Sequence, residues 1–201
     1  NGTTIADAGA FSASLGSMIH IKTLTASSSG TLSFVDGTSS VVFDDTYPIY
    51  RFVFINIHPS SHHNFSFNVS IDSGSSYGPA KTSTSTSAYH AENGSAADYY
   101  YILSGDLPQG TGFQEISGDI YTDDDNSMSG TLELYNPSST TFVKHFIGNT
   151  QRNSYSLQGY SNNWLTAGYA NTTSAIDAIQ FKMTSGNIDS GIIKMYGIKD
   201  S

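Results

Sequence analysis

Three histidines close together, His58, His62 and His63, offer neutral imidazole nitrogens of the kind that bind zinc, copper or nickel. They fall in the run HPSSHHN, which reads as a turn between two strands. Exposed polar residues are expected in such a turn without any metal. In a symmetric oligomer the same imidazoles could meet about an axis and make assembly sensitive to pH. The acidic run Asp123-Asp124-Asp125-Asn126 supplies the hard oxygens that calcium prefers, with Asp123 and Asp125 as the first ligand candidates. The spacing departs from a calcium-binding helix–loop–helix motif. Met128 stands where the sharp turn needs Gly, and Glu133 comes one residue early for the closing bidentate ligand. A solvated hairpin turn is the simpler reading, so no metal and no cofactor is expected.

Hydrolytic chemistry finds little support. Glycoside hydrolysis needs two carboxylates across the scissile bond. The three glutamates, Glu92, Glu115 and Glu133, are far apart in sequence, and nothing in the aspartate spacing selects a pair. Gly74-Ser75-Ser76-Tyr77-Gly78 matches Gly-x-Ser-x-Gly in letters, but this Gly/Ser run reads as a turn and supports no nucleophile elbow of a Ser/His/Asp hydrolase. A non-enzymatic protein is therefore expected, with no catalytic residue assigned.

The aromatic residues are the stronger signal. Tyr99-Tyr100-Tyr101 forms one cluster, and Tyr155, Tyr160, Trp164 and Tyr169 punctuate a polar stretch from Arg152 to Asn171. Sugars stack on such rings while neighbouring Asn, Gln and Ser supply hydrogen bonds, so these four residues form the candidate glycan site. Core or subunit-interface packing is the competing reading. Strand alternation is expected to bury at least one of the three consecutive tyrosines. Five Asn-x-Ser/Thr sequons, at Asn1, Asn64, Asn68, Asn93 and Asn171, are near chance in a chain so rich in Ser and Thr, and matter only in a eukaryotic secretory pathway.

These side chains must be positioned by strands. Of 201 residues only 12% are charged, the formal net charge is −9, and the six Lys and two Arg are scattered. Such a surface argues against nucleic acid, which demands clustered cations, and against an anionic membrane. The chain has no cysteine, which removes disulfides and thiolate metal sites. No apolar run approaches the roughly 20 residues that span a bilayer, and no signal peptide is evident. A chain beginning at Asn1 suggests removal or excision of an upstream segment.

Residues 1–16 are rich in small side chains and read as an arm or linker; residues 17–201 read as a single domain. Short strands are expected at Met18–Leu24, Thr31–Val35, Val41–Phe43, Ile49–Ile57 (central, with Phe52 and Phe54 opposite Val53, Ile55 and Ile57) and Phe65–Ile71. In the last of these, Phe65, Phe67, Val69 and Ile71 pack, while Ser66, Asn68 and Ser70 are wet. The run KTSTSTSAYH suits a loop or an exposed edge strand. Tyr99–Leu103, Ile116–Tyr121, Thr131–Tyr135 and Phe142–Ile147 follow, then two alternating strands near the C-terminus. In the first of that pair Ile179, Phe181 and Met183 share a face; in the second Ile193 and Met195 oppose Ile192, Lys194, Tyr196 and Ile198. About ten or more strands without a helical period indicate an all-β, jelly-roll-like antiparallel β-sandwich.

Three stretches carry a resemblance. Leu24–Ile57 contains an Ala-Ser-Ser turn and a Tyr-x-x-Tyr-x-Phe-x-Phe approach to the central strand. Asn68–Tyr77 leads into the Thr/Ser run and Ala88-Tyr89-His90. The tail runs from Ser129-Gly130-Thr131-Leu132 through Asn136–Phe146 to Ser190–Ile198. In order and combination these are similar to a family of jelly-roll domains in virion structural proteins of tailed, marine and cyanophage-like bacteriophages. The resemblance implies a virion surface protein, assembled in the host cytoplasm, usually a homotrimer in contact with other virion proteins. A fibre or adhesin module for host attachment, with a host cell-surface glycan as partner, is the first expectation. A capsid decoration protein and a carbohydrate-binding module of a glycan-degrading enzyme are the alternatives.

Overall fold

The computed structural model describes residues 18–154 and 159–199. The proposed arm, residues 1–16, lies outside them, as does Tyr155. The strands are β1 (Met18–Thr25), β2 (Leu32–Val35), β3 (Ile49–Pro59), β4 (His63–Ser70), β5 (Lys81–Ala91), β6 (Ala97–Tyr101), β7 (Pro108–Gly110), β8 (Gln114–Ile120), β9 (Met128–Tyr135), β10 (Lys144–Ser154), β11 (Tyr160–Ala170), β12 (Ala178–Met183) and β13 (Ile188–Ile198). A single 3-10 turn, Leu103–Gly105, is the only helical element among the described residues.

The strands form two antiparallel sheets packed as a sandwich. The larger runs β1-β13-β3-β9-β10-β11-β5-β6, with β7 also paired to β5; the smaller runs β2-β12-β4-β8. Eight strands make the frame: β1-β13-β3-β9 in one layer and β2-β12-β4-β8 in the other. Numbered along the chain, these orders are 1-8-3-6 and 2-7-4-5, the nested arrangement of a jelly roll. The other strands are insertions. β5–β7 lie between frame strands β4 and β8, and β10 and β11 between β9 and β12. Together they widen one sheet from β9 outward to β6.

Phe181 on β12 sits at the centre of the core. Its ring centroid lies 5.3 Å from Phe54, 5.4 Å from Phe52, 5.9 Å from Phe65 and 6.3 Å from Phe34, so it joins rings of both sheets. The expected alternation of β12 and β13 holds: Ile179, Phe181, Met183, Ile193 and Met195 are buried. The two strands nevertheless belong to opposite sheets, and the turn between them crosses the sandwich.

Several local expectations change. β3 is central, as expected, but Asn56 adopts φ 49°, a left-handed conformation that Asn tolerates, and the ladder to both neighbours shifts there. The bulge moves Ile57 onto the buried face with Phe52 and Phe54 and away from Val53 and Ile55. Val41–Phe43 is not a strand; Val41 closes a tight turn onto Gly37 and Thr38, and its side chain and that of Phe43 plug the core. The polar face of β4 is dry: Ser66, Asn68 and Ser70 are fully buried, while Ile71 is 43% exposed. That burial is possible because partners exist. Asn68 Nδ2 donates to the carbonyls of Tyr77 at 2.7 Å and Thr111 at 3.0 Å, bringing two loops over the strand.

The Ser/Thr run is β5, an interior strand between β11 and β6. Its serines face inward, where Ser83 Oγ donates to Gln114 Oε1 at 2.6 Å and Ser85 Oγ to the Gly105 carbonyl at 3.0 Å. β11 had no counterpart in the sequence reading, because a strand with Asn162 and Thr166 on its buried face carries no hydrophobic alternation.

Candidate functional site

The widened part of the larger sheet gathers the aromatic residues, and strand alternation divides them between its two faces. Along β11, Tyr160 and Trp164 share the inner face, and Tyr169 lies on the outer one. The glycan candidates therefore do not form one plate. Trp164 is 6% exposed and its Nε1 donates to Thr166 Oγ1 at 2.8 Å. Its ring is wedged between two glycines: a Cβ at Gly105 would stand 2.7 Å from Cζ2, and one at Gly118 2.9 Å from Cζ3. Trp164 is a core residue that fastens the 3-10 turn and β8 to β11.

On the outer face, Tyr169 pairs across the ladder with His145, ring centroids 6.3 Å apart. With Tyr135, Ile147, Ala167 and Thr84 they line an open, largely apolar depression of about 680 Å³. The Tyr135 hydroxyl donates to Glu133, which also accepts from Arg51. Burial, reinforced by that carboxylate, pushes the Tyr135 phenol up to about 12. Burial alone would raise Glu133, but the bonds from Tyr135 and Arg51 outweigh it and hold the carboxyl below its ordinary value.

On the inner face, the register aligns Arg152 of β10, Asn162 of β11 and Tyr89 of β5 in one row across three strands. β8 of the smaller sheet packs on β10 and β11, and beyond it the inner face of β5 and β6 forms a shelf. Tyr89 stands edge-on to Tyr160 at 5.4 Å and to Tyr100 at 6.1 Å. These three rings, Arg152 and Asn162 line an open cleft of about 190 Å³. Asn162 is held by reciprocal bonds with Ser87, 3.0 and 3.2 Å. Burial lowers the pKa of the Arg152 guanidinium, and the nearby Asp119 carboxylate opposes that shift.

β6 is the edge of the sheet, and all three of its tyrosines are exposed: Tyr99 67%, Tyr100 42% and Tyr101 51%. The expectation that alternation buries one of them fails because neither face of this edge strand is covered. Tyr100 instead turns into the cleft beside Tyr89.

The remaining candidates disperse. His58 belongs to β3 and its Nε2 is buried without a partner; His63 opens β4; His62, in the turn, stacks on Tyr121 at 3.9 Å and lies 3.5 Å from an Asp119 carboxylate oxygen. Asp125 and Asp124, but not Asp123, line a polar pocket of about 520 Å³ with His58 and Asp189. Their loop joins β8 to β9 across the sandwich and is not a hairpin. Among the described residues no three His, Asp or Glu side chains come together as metal ligands. The glutamates are separated as well. Glu133 is engaged by Arg51 on the larger sheet, Glu115 accepts from Asn64 at 2.7 Å on the smaller one, and Glu92 lies beside Gly159.

Sequence reading missed Tyr89, Arg152 and Asn162. The signal was available only in pieces, as the shared parity of Tyr89 with Ser83, Ser85 and Ser87, and needed the β11 strand to join them. No family model matches the chain, and neither does any curated protein or solved structure.

Proposed function

We propose that this chain is a non-catalytic attachment module of a virion surface, which holds a host-surface glycan at the aromatic end of its widened sheet. The virion setting rests on the sequence resemblance; the glycan rests on geometry. The observation that carries the reading is the concentration of half-exposed rings at one corner: Tyr100 of the edge strand with Tyr89 and Tyr160 on the inner face, and Tyr99 and Tyr101 on the other face of that strand. A fold has no need to keep so much aromatic surface in water, and rings beside amide and guanidinium donors are how proteins hold pyranose rings. A sparsely charged composition rich in Ser and Thr suits that partner.

Exposed Ile147 and Leu165 on the outer face favour a second reading, packing against another protein surface as a capsid decoration protein. Location separates the two. Labelling at the distal end of a fibre supports attachment; labelling spread over the shell supports decoration. Retention of the full chain on host-envelope polysaccharide, lost on replacing Tyr99, Tyr100 and Tyr101 together by serine, tests the glycan reading. Equal retention of both proteins contradicts it.

A further inference from the structure

We infer that the cleft between Tyr89, Tyr100 and Tyr160 is a subsite for an acidic monosaccharide whose carboxylate is held by Arg152; this rests on the glycan-attachment reading above. The Arg152 guanidinium has five N–H donors, yet its only hydrogen bond among the described residues runs from Nη1 to the main-chain carbonyl of Asp119. Its Nε is out of solvent with no partner, so a ligand meets the outer nitrogens, of which Nη2 makes no hydrogen bond among the described residues. The ion pairs of the described residues are Arg51–Glu133 and His62–Asp119, so no carboxylate neutralises Arg152 within bonding distance. Asp119 lies near enough for its charge to be felt, but its carboxylate is turned towards His62 at 3.5 Å.

A partly desolvated guanidinium with spare donors at the wall of an aromatic cleft selects a planar, two-oxygen anion. The rings define the rest of the ligand. Tyr89, Tyr100 and Tyr160 present apolar edges and faces around an open cleft of about 190 Å³, a size that suits one sugar ring. Asn162, locked by Ser87, stands next to Arg152 in the same row and fixes the floor. A uronic or a nonulosonic acid has this pairing of carboxylate and ring; a neutral hexose leaves the cation unanswered.

The test titrates the full chain with oligosaccharides ending in glucuronate, galacturonate or N-acetylneuraminate, each beside its carboxyl-reduced counterpart. At least one acidic probe binds at least tenfold tighter than its reduced form, and Arg152→Gln abolishes that difference. Because Arg152 is partly buried, thermal unfolding verifies the variant's fold, and Tyr100→Ala on the edge strand gives a second readout: it weakens acidic and reduced probes alike. If no acidic probe binds, or if an acidic probe and its reduced form bind equally and Arg152→Gln changes neither, the subsite is overturned. Binding of reduced probes that still depends on Tyr100 leaves the attachment reading intact while the acidic assignment falls.

Discussion

Lys81 and Asn68, both fully buried, meet at 2.5 Å between Nζ and Oδ1. This contact joins the first residue of β5 to the middle of β4 and so ties the inserted strands to the jelly-roll frame. Lys81 Nζ also donates to the Pro79 carbonyl at 3.0 Å.

Burial lowers the Lys81 pKa from 10.5 to about 8. Below pH 8 folded and unfolded chains both carry the proton, and this group adds no slope to stability. Between about 8 and 10.5 the folded chain has released a proton that the unfolded chain keeps, so this group makes stability rise with pH. The rise amounts to roughly 3 kcal/mol over the full window. Urea unfolding at pH 7.5, 9 and 10 is expected to show it as a difference between the native chain and Lys81→Met, whose stability lacks this rise. Parallel curves would contradict the assignment.

Wedging of Trp164 between Gly105 and Gly118 predicts that either glycine is intolerant of a methyl group. Gly105→Ala and Gly118→Ala each destabilise by about 1–3 kcal/mol through overpacking, and Trp164→Ala by about 3–5 kcal/mol through the cavity it leaves. Urea midpoints measure both. A Trp164→Ala chain of native stability that had lost glycan binding would return this ring to the binding surface.

Legibility of the fold in the sequence followed the hydrophobic period. β3, β4, β12 and β13 announce themselves by alternating large apolar side chains, and from them the sandwich follows. β5 and β11 do not, because their buried faces carry Ser, Thr and Asn paired to one another, as in Ser87 with Asn162, and polar residues look alike whether wet or satisfied. The candidate site suffered for the same reason. Tyr160 was legible as an aromatic, but its partners Tyr89 and Arg152 come from strands 71 and 8 residues away in sequence, joined only by the ladder of β10, β11 and β5.

The Tyr99 ring contributes little to folding. Tyr99→Ser, at a side chain 67% exposed, is expected to shift stability by less than about 0.5 kcal/mol. Thermal unfolding checks it, and a loss above about 1.5 kcal/mol would mean that the ring is packed in the folded chain.

Asp72 organises the turn after β4, accepting from Ser70 Oγ at 2.6 Å, Ser76 Oγ at 2.5 Å and Ser76 N at 2.9 Å. The Ser70 and Ser76 bonds hold its carboxyl down to about 2, against an ordinary 3.8. The turn is therefore fully fastened above pH 3.8 and loosens as pH falls through about 2. Side-chain carboxyl NMR is expected to place the Asp72 titration near 2, and amide exchange at residues 73–76 to speed up in Asp72→Ala. A titration at the ordinary aspartate value would contradict the bonding described.

Glycan binding at the Tyr89, Tyr100 and Tyr160 corner is the proposed activity. The most direct measurement applies the full chain and a Tyr100→Ala/Tyr160→Ala double variant, verified as folded by thermal unfolding, to an array of bacterial surface glycans. The native chain is expected to bind a defined subset and the variant to lose at least tenfold in affinity for it; no binding by the native chain, or equal binding by both, would contradict the claim.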